Sequence, residues 1–150
     1  MELPKRKLQR LPGFNYSSVN YYYVTVCTHE KSCIFGSANT INAYGVIAEE
    51  ELLTINNRYS DVFVDKYVVM PNHIHAIVVI GSDGKESLSK VIGNYKAGVS
   101  RTIHKSAPNL TVWQKSFYDH IIRGDDEYKK ICSYIEENRN KLQCIINGEI

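Results

Sequence analysis

Two histidines separated by a single residue, His73 and His75, stand inside the string Val-Val-Met-Pro-Asn-His-Ile-His-Ala-Ile-Val-Val-Ile of residues 68–80. Imidazole is a common ligand of divalent metals and exchanges a proton near neutral pH. The β-branched run around the pair, bounded by Pro71 and Gly81, reads as a buried strand. Side chains alternate across a strand, so residues two apart emerge from the same face. His73 and His75 are therefore predicted to lie one pleat repeat apart on one face, within reach of one metal ion. A single histidine in such a strand is most often a satisfied core residue; two at this spacing favour a metal site.

The elements that must position this strand follow from periodicity. Residues 1–19, with Pro4, Pro12 and Gly13, read as an irregular basic arm. Residues 20–28 are aromatic and β-branched and form a first strand. Residues 40–57 carry Ile41, Tyr44, Ala48, Leu52 and Ile55 at helical spacing, which predicts one amphipathic helix. Residues 61–70 form a second strand, and Met70-Pro71-Asn72 turns the chain into the histidine strand. Ser87 caps a helix with the stripe Leu88, Val91, Ile92, Tyr95, Val99 and Ile103. Residues 116–123 suit a fourth strand, and a last helix runs from about residue 126 to 146. The order β-α-β-β-α-β plus a C-terminal helix predicts an α+β, ferredoxin-like antiparallel sheet with the first and third strands central. Ile74, Ala76, Val78 and Ile80 would face one side of the third strand, and His73, His75, Ile77 and Val79 the other. Both sides are largely apolar and need cover. The two crossover helices cover one, so the last helix is expected over the histidines.

That helix carries Tyr128, Ile131, Ile135, Leu142 and Ile145 as its apolar stripe, with Asn138 in the middle of it. Burying an unpaired amide costs about 1–3 kcal/mol, so Asn138 needs a partner, and a metal on His73 and His75 would be one. Tyr134 lies one turn earlier on the same face, and Lys130 and Lys141 fall on that edge. A phenol beside cations or a metal is displaced towards its phenolate. A tyrosine oxygen attacking phosphorus beside a Lewis acid is then coherent chemistry. The plainer reading, a tyrosine packed at a helix edge with an asparagine bonded to backbone, stays open on spacing alone. Tyr21, Tyr22 and Tyr23 read as strand residues and Tyr95 as core. His120 stands in a strand as a third ligand, a proton shuttle or a buried side chain. His29 and His104 read as loop or surface residues, and Trp113 and Phe117 either stack bases or pack in the core.

Size and charge bound the rest. The chain has 150 residues, of which 43% are hydrophobic and 23% charged, so disorder is excluded and a single domain is expected. A net charge of +2 does not by itself demand a nucleic-acid partner. Its placement is more telling: Lys5, Arg6, Lys7 and Arg10 cluster at the start, and residues 90–105 hold four Lys or Arg and no acidic residue. Cys27, Cys33, Cys132 and Cys144 form no Cys-x-x-Cys pair, which argues against a zinc knuckle and fits free thiols in a reducing cytoplasm. No apolar leader and no membrane-spanning stretch is evident.

The string Tyr-Val-Val-Met-Pro-Asn-His-Ile-His resembles the His-hydrophobic-His signature of one-tyrosine transposases, most closely the REP-associated tyrosine transposases and their insertion-sequence relatives. Further matches follow in order: Leu11-Pro-Gly-Phe-Asn-Tyr16, Tyr23-Val-Thr-Val-Cys-Thr28, Trp113-Gln114, Phe117-Tyr-Asp-His-Ile-Ile-Arg123 and Tyr134-Ile-x-x-Asn138. The resemblance spans residues 11–138 and implies a single-stranded DNA transposase or nickase, DNA-associated in the cytoplasm. It implies Mg²⁺ or Mn²⁺ on His73, His75 and Asn138, with Tyr134 as nucleophile and His120 in the catalytic set. A 5′-phosphotyrosine and a free 3′-hydroxyl would result, and the reverse reaction would rejoin the strand. It also implies hairpin DNA ends as partner and admits a homodimer. Arg6, Lys7, Lys96, Arg101, Lys130 and Lys141 are the expected DNA contacts. Where the family commonly has proline after the helix asparagine, this chain has Arg139. Two rival readings are a non-catalytic, domesticated DNA-binding module on the same fold and a cupin-type oxygenase. The second wants a glutamate where Val78 and Val79 stand.

Overall fold

Runs rich in β-branched and aromatic residues suit pleated, paired strands, and here four such runs join in one sheet. The structure, a computed structural model, describes residues 19–38, 40–81 and 86–146, with side chains to residue 141. In chain order, β1 (Val19–Cys27) leads through a short 3-10 turn to a small hairpin, β2 (Gly36–Ser37) and β3 (Thr40–Ile41). The helices α1 (Ala43–Leu53) and α2 (Ile55–Arg58) follow, then β4 (Val62–Met70), β5 (His73–Gly81), α3 (Leu88–His104), β6 (Tyr118–Ile121) and α4 (Asp125–Ile146). The main sheet is antiparallel throughout, in the order β4-β5-β1-β6, so β1 and β5 are central as the ferredoxin-like reading expects.

The two faces of β5 feed two separate cores. Ile74, Ala76, Val78 and Ile80 pack with Ala48, Leu52 and Ile55 and with the α3 stripe Val91, Ile92, Tyr95, Val99 and Ile103. On the other face Ile77 and Val79 pack with Tyr21, Phe63, Val68, Met70, Ile122, Tyr128 and Ile135, the last two from α4. The C-terminal helix therefore covers the histidine face. Phe63 and Val68 reach the same face from positions of opposite parity because β4 shifts register between Val64 and Lys66. Asp65 is the extra residue of that bulge, and its Oδ2 accepts a 2.5 Å hydrogen bond from the Tyr128 hydroxyl. The bulge thus serves both strand parity and the seating of α4.

The stretch expected as one helix over residues 40–57 is broken at both ends. Thr40 and Ile41 are extended and pair with β2, since their branched side chains suit a strand. The helix begins only after Asn42, whose side chain accepts from the Gly45 N–H as an N-cap. It is interrupted at Thr54, whose hydroxyl donates back to the Glu51 carbonyl. The fourth strand is shorter than residues 116–123, and the chain before it leaves the sheet at the Thr28–Trp113 bridge. Arg6 and Lys7 of the basic arm lie outside the described residues. None of Cys27, Cys33 and Cys132 forms a disulfide, and no helix among the described residues is long and apolar enough to cross a membrane.

Two glycines test this account in opposite directions. A Cβ on Gly36 would stand 1.9 Å from the Thr40 carbonyl oxygen, whereas one on Gly93 in α3 would meet nothing within 4 Å. Gly36→Ala is expected to destabilise the fold by about 1–3 kcal/mol, the usual range for overpacking. Gly93→Ala should stabilise it by about 0.5–1 kcal/mol through helix propensity. Chemical denaturation of the two variants checks both signs.

Candidate active site

The pleat of β5 brings His73 and His75 together with their ring centroids 4.6 Å apart. Each ring is fixed through Nδ1. The His73 Nδ1–H donates to Asn72 Oδ1 at 2.6 Å, while Asn72 Nδ2 points at the Lys31 carbonyl at 3.4 Å. Asn72 is itself held by its own carbonyl, which accepts from the Thr28 N–H at 3.1 Å. The Phe35 N–H donates to the Pro71 carbonyl at 2.9 Å and completes the support of the β4–β5 turn. That supporting loop contains Glu30 and Lys31, both with positive φ, 52° and 55°, an unfavourable backbone region for residues with a Cβ. His75 is buried, and its Nδ1 lies 3.0 Å from Tyr23 Oη and 3.1 Å from Thr25 Oγ1 on β1. Its other nitrogen, Nε2, is buried with no partner among the described residues.

The helix α4 supplies the remaining groups. The Tyr134 ring centroid lies 5.3 Å from that of His75, and the residue is 49% exposed. One turn on along the same helix, Asn138 is buried and its Nδ2 has no partner among the described residues. Two buried polar atoms, one on His75 and one on Asn138, thus lack partners among the described residues. Rotating the Asn138 amide exchanges its nitrogen for the carbonyl oxygen, which is a hard ligand for a cation. Lys129, Lys130, Ser133 and Glu137 line a groove with Tyr134 on the outer side of the helix.

Burial and charge set the protonation of the pair. His75 is pushed down to about 4 by burial and by His73. His73 is also lowered, by burial first and then by the nearby Lys31. Both are therefore neutral at pH 7, the form in which an imidazole nitrogen can bind a metal. Tyr23 is raised by burial and by Tyr134.

The other expected residues are distributed differently. His120 is exposed, not buried, and its Nε2 donates to Glu127 Oε2 at 2.8 Å. Glu127 also accepts from the Arg123 N–H at 2.7 Å. No third His, Cys, Asp or Glu joins the histidine pair among the described residues, so His120 is not a third ligand but a latch on the start of α4. Lys96 does not project freely: its Nζ donates to the Gln114 carbonyl at 2.7 Å, and the residue lies with Arg101 on α3, across the sheet from the histidines. Lys130 and Lys141 are exposed on α4. Trp113 and Tyr95 are core residues. The Trp113 Nε1–H donates to the Lys96 carbonyl, and the Tyr95 hydroxyl donates to the Ala48 carbonyl at 2.9 Å.

Tyr23, Thr25, Asn72 and Lys31 were not singled out by the pattern of the sequence. Tyr23 and Thr25 carried a signal that could have been used, since alternation along β1 places them on the histidine face. Arg139 caps the exposed edge of β4 by donating to the Tyr67 carbonyl, with its guanidinium 4.8 Å from the Tyr67 ring centre.

Residues 15–138 match the family described as Transposase IS200 like. An uncharacterized protein of Haemophilus influenzae is 29% identical over 157 residues, covering 89% of this chain and 87% of that protein. Among solved structures, a REP-associated tyrosine transposase bound to a REP hairpin superposes with a TM-score of 0.57 at 15% identity, covering 95% of this chain and 76% of the other. A transposase candidate from Deinococcus radiodurans gives a TM-score of 0.59 at 14% identity, covering 87% and 98%. At such low identity these two structures speak for the fold, and the family match covers most of the chain and includes both histidines, Tyr134 and Asn138. The chain belongs to the IS200-like transposase family.

Proposed function

We propose that this protein cleaves and rejoins a single DNA strand through a covalent bond to Tyr134. The observation that carries the reading is the convergence of His73, His75 and Tyr134, together with buried polar atoms on His75 and, one helical turn beyond Tyr134, on Asn138 that have no partner among the described residues. The donor set fits a divalent cation such as Mg²⁺ or Mn²⁺: two neutral imidazoles and an amide that can present its oxygen. Such an ion, when bound, would polarise a phosphate and offset charge at the leaving oxygen. His73 and His75 would hold it through Nε2, because both Nδ1 atoms are engaged.

The chain's own groups account for the rest. The Tyr134 oxygen attacks the scissile phosphorus and gives up its phenolic proton to solvent, while the P–O bond to the 3′ oxygen breaks and that oxygen takes up a proton from solvent. This leaves a 5′-phosphotyrosine and a free 3′-hydroxyl. No phosphodiester energy is lost, so attack by a 3′-hydroxyl on the phosphotyrosine reseals a strand without ATP. Half-exposure gives Tyr134 access to a strand lying along the outer groove, where Lys129 and Lys130 can meet its phosphates. His120 contributes by fastening the start of α4. Single-stranded DNA is the substrate class we assign, with hairpin-bearing ends as its natural form, in line with the hairpin bound by the REP-associated structural relative.

Incubation with single-stranded and blunt duplex oligonucleotides plus Mn²⁺ tests this reading directly. A protein–DNA adduct should form on the single strand and survive a denaturing gel. Tyr134→Phe should abolish the adduct while leaving folding and DNA binding intact. Tyr95→Phe should keep it, at a stability cost of about 0.5–1.5 kcal/mol for the lost hydrogen bond to the Ala48 carbonyl. An adduct mapped to any other tyrosine would refute the assignment.

Asn138 separates stability from function. Asn138→Leu removes a buried amide without a partner and should stabilise the metal-free protein by about 1–3 kcal/mol. The same variant should need more Mn²⁺ for half-maximal cleavage. Thermal melts and a metal titration together check the pair of outcomes.

Acid should weaken the metal-free fold through the histidines. Their native values lie below the ordinary 6.5 of the unfolded chain, so the unfolded state binds more protons as pH falls. Their contribution is complete above pH 6.5 and is lost as pH falls from there through about 4. Urea denaturation at pH 7.5, 6 and 5 should show this decline, and His75→Gln should flatten it.

A further inference from the structure

The two imidazoles are held by different chemistry. His73 Nδ1 faces an amide oxygen, which can only accept, so its ring must carry hydrogen there and leave Nε2 bare. His75 Nδ1 faces two hydroxyls, Tyr23 Oη at 3.0 Å and Thr25 Oγ1 at 3.1 Å, and a hydroxyl can give or take. Three observations decide the direction. One nitrogen lone pair serves a single good donor, whereas one N–H is readily shared between two oxygens in a three-centre bond. The opposite nitrogen, Nε2, is buried with no partner among the described residues. A buried N–H without an acceptor is rarer than a buried acceptor without a donor, so hydrogen on Nε2 is the disfavoured choice.

We infer that Tyr23 and Thr25 are a paired positioning device that locks His75 in the Nδ1–H tautomer, so that Nε2 keeps its lone pair free for a ligand. The register makes Thr25 the direct cross-strand neighbour of His75, a short stiff side chain. Tyr23 reaches the same nitrogen from one pleat repeat away, with its ring 5.5 Å from the imidazole. The two are redundant by construction. Removing either hydroxyl leaves the other to accept the hydrogen, while removing both leaves a buried Nδ1 with nothing to hold it there. The value of the lock for metal binding rests on the function proposed above; the tautomer itself does not.

The test separates the two. In metal-free protein labelled with ¹⁵N-histidine, long-range ¹H–¹⁵N correlation distinguishes the tautomers, and His75→Gln assigns the signal. His75 should be found with hydrogen on Nδ1 in the unaltered chain and in Tyr23→Phe and Thr25→Val alone. In the double variant hydrogen should move to Nε2 in a substantial fraction of molecules. Mn²⁺ binding to the same proteins, read by electron paramagnetic resonance without DNA, should weaken a few-fold in each single variant. The double variant should lose about 10–100-fold, the usual effect of removing outer-shell partners, and more than the two single losses multiplied. Tyr23→Phe combined with Thr25→Ser keeps one hydroxyl and should bind like the single variant. Because these substitutions preserve shape, melting curves establish that each protein is folded before the comparison is made. Hydrogen on Nε2 in the unaltered chain, or on Nδ1 undiminished in the folded double variant, overturns the inference. Absence of Mn²⁺ binding to the unaltered chain overturns the metal assignment instead, and the tautomer measurement still decides this one.

Discussion

A strand buried on both faces has no room for polar side chains unless something across the interface answers them, and β5 carries two imidazoles on one of its faces. That requirement shapes the molecule. The face bearing Ile74, Ala76, Val78 and Ile80 is closed by apolar side chains, chiefly from α1, α2 and α3 with Phe35 and Trp113. The face bearing the histidines is closed by α4, which is apolar at Tyr128 and Ile135 and turns polar at Tyr134 and Asn138 as it reaches them. Burial costs a charged imidazole more than a neutral one, and this lowers both histidines. The same desolvation that makes the site awkward to build therefore keeps both rings neutral at pH 7.

The support of the pair comes from elements that are distant in sequence. Thr28 and Phe35 hold the Pro71–Asn72 turn, and Asn72 orients His73. Tyr23 and Thr25 orient His75 from the neighbouring strand. The protein thus fixes each ring through its Nδ1. The left-handed Glu30 and Lys31 are consistent with a loop whose path is dictated by these anchors rather than by local preference.

Much of this was legible in the sequence because the relevant periods are short and regular. The two-residue alternation of β5 placed His73 and His75 on one face, and the apolar content of both faces required a cover that only the last helix could supply. Ser87 and the six-residue stripe after it marked α3 closely. The pattern failed where local chemistry overrode periodicity: Asn42 and Thr54 delimit a helix that the apolar spacing of Ile41 and Ile55 extends too far. The Asp65 bulge was equally hidden, since an inserted residue reverses strand parity without changing composition. Pairings across 50 residues or more, such as Tyr23 and Thr25 with His75, depend on strand register and are invisible to any local window. His120 illustrates the same limit: its facing could be read, but its engagement by Glu127 could not.

The attachments of α4 have a mechanical consequence. Near its start the helix is fastened by Glu127 to His120 and by Tyr128 to Asp65, and further along by Arg139 to the Tyr67 carbonyl. Tyr134 lies roughly midway between these fixings. A beam held at two points carries its midspan along when either support yields, and the midspan of this one bears the phenol. The position of the phenol oxygen beside the histidines is then governed by groups about two turns away or less along the helix. Arg139 ties the helix to the sheet edge through the Tyr67 carbonyl. Substitution at such ties can therefore alter how far the phenol extends while leaving the residues around it untouched.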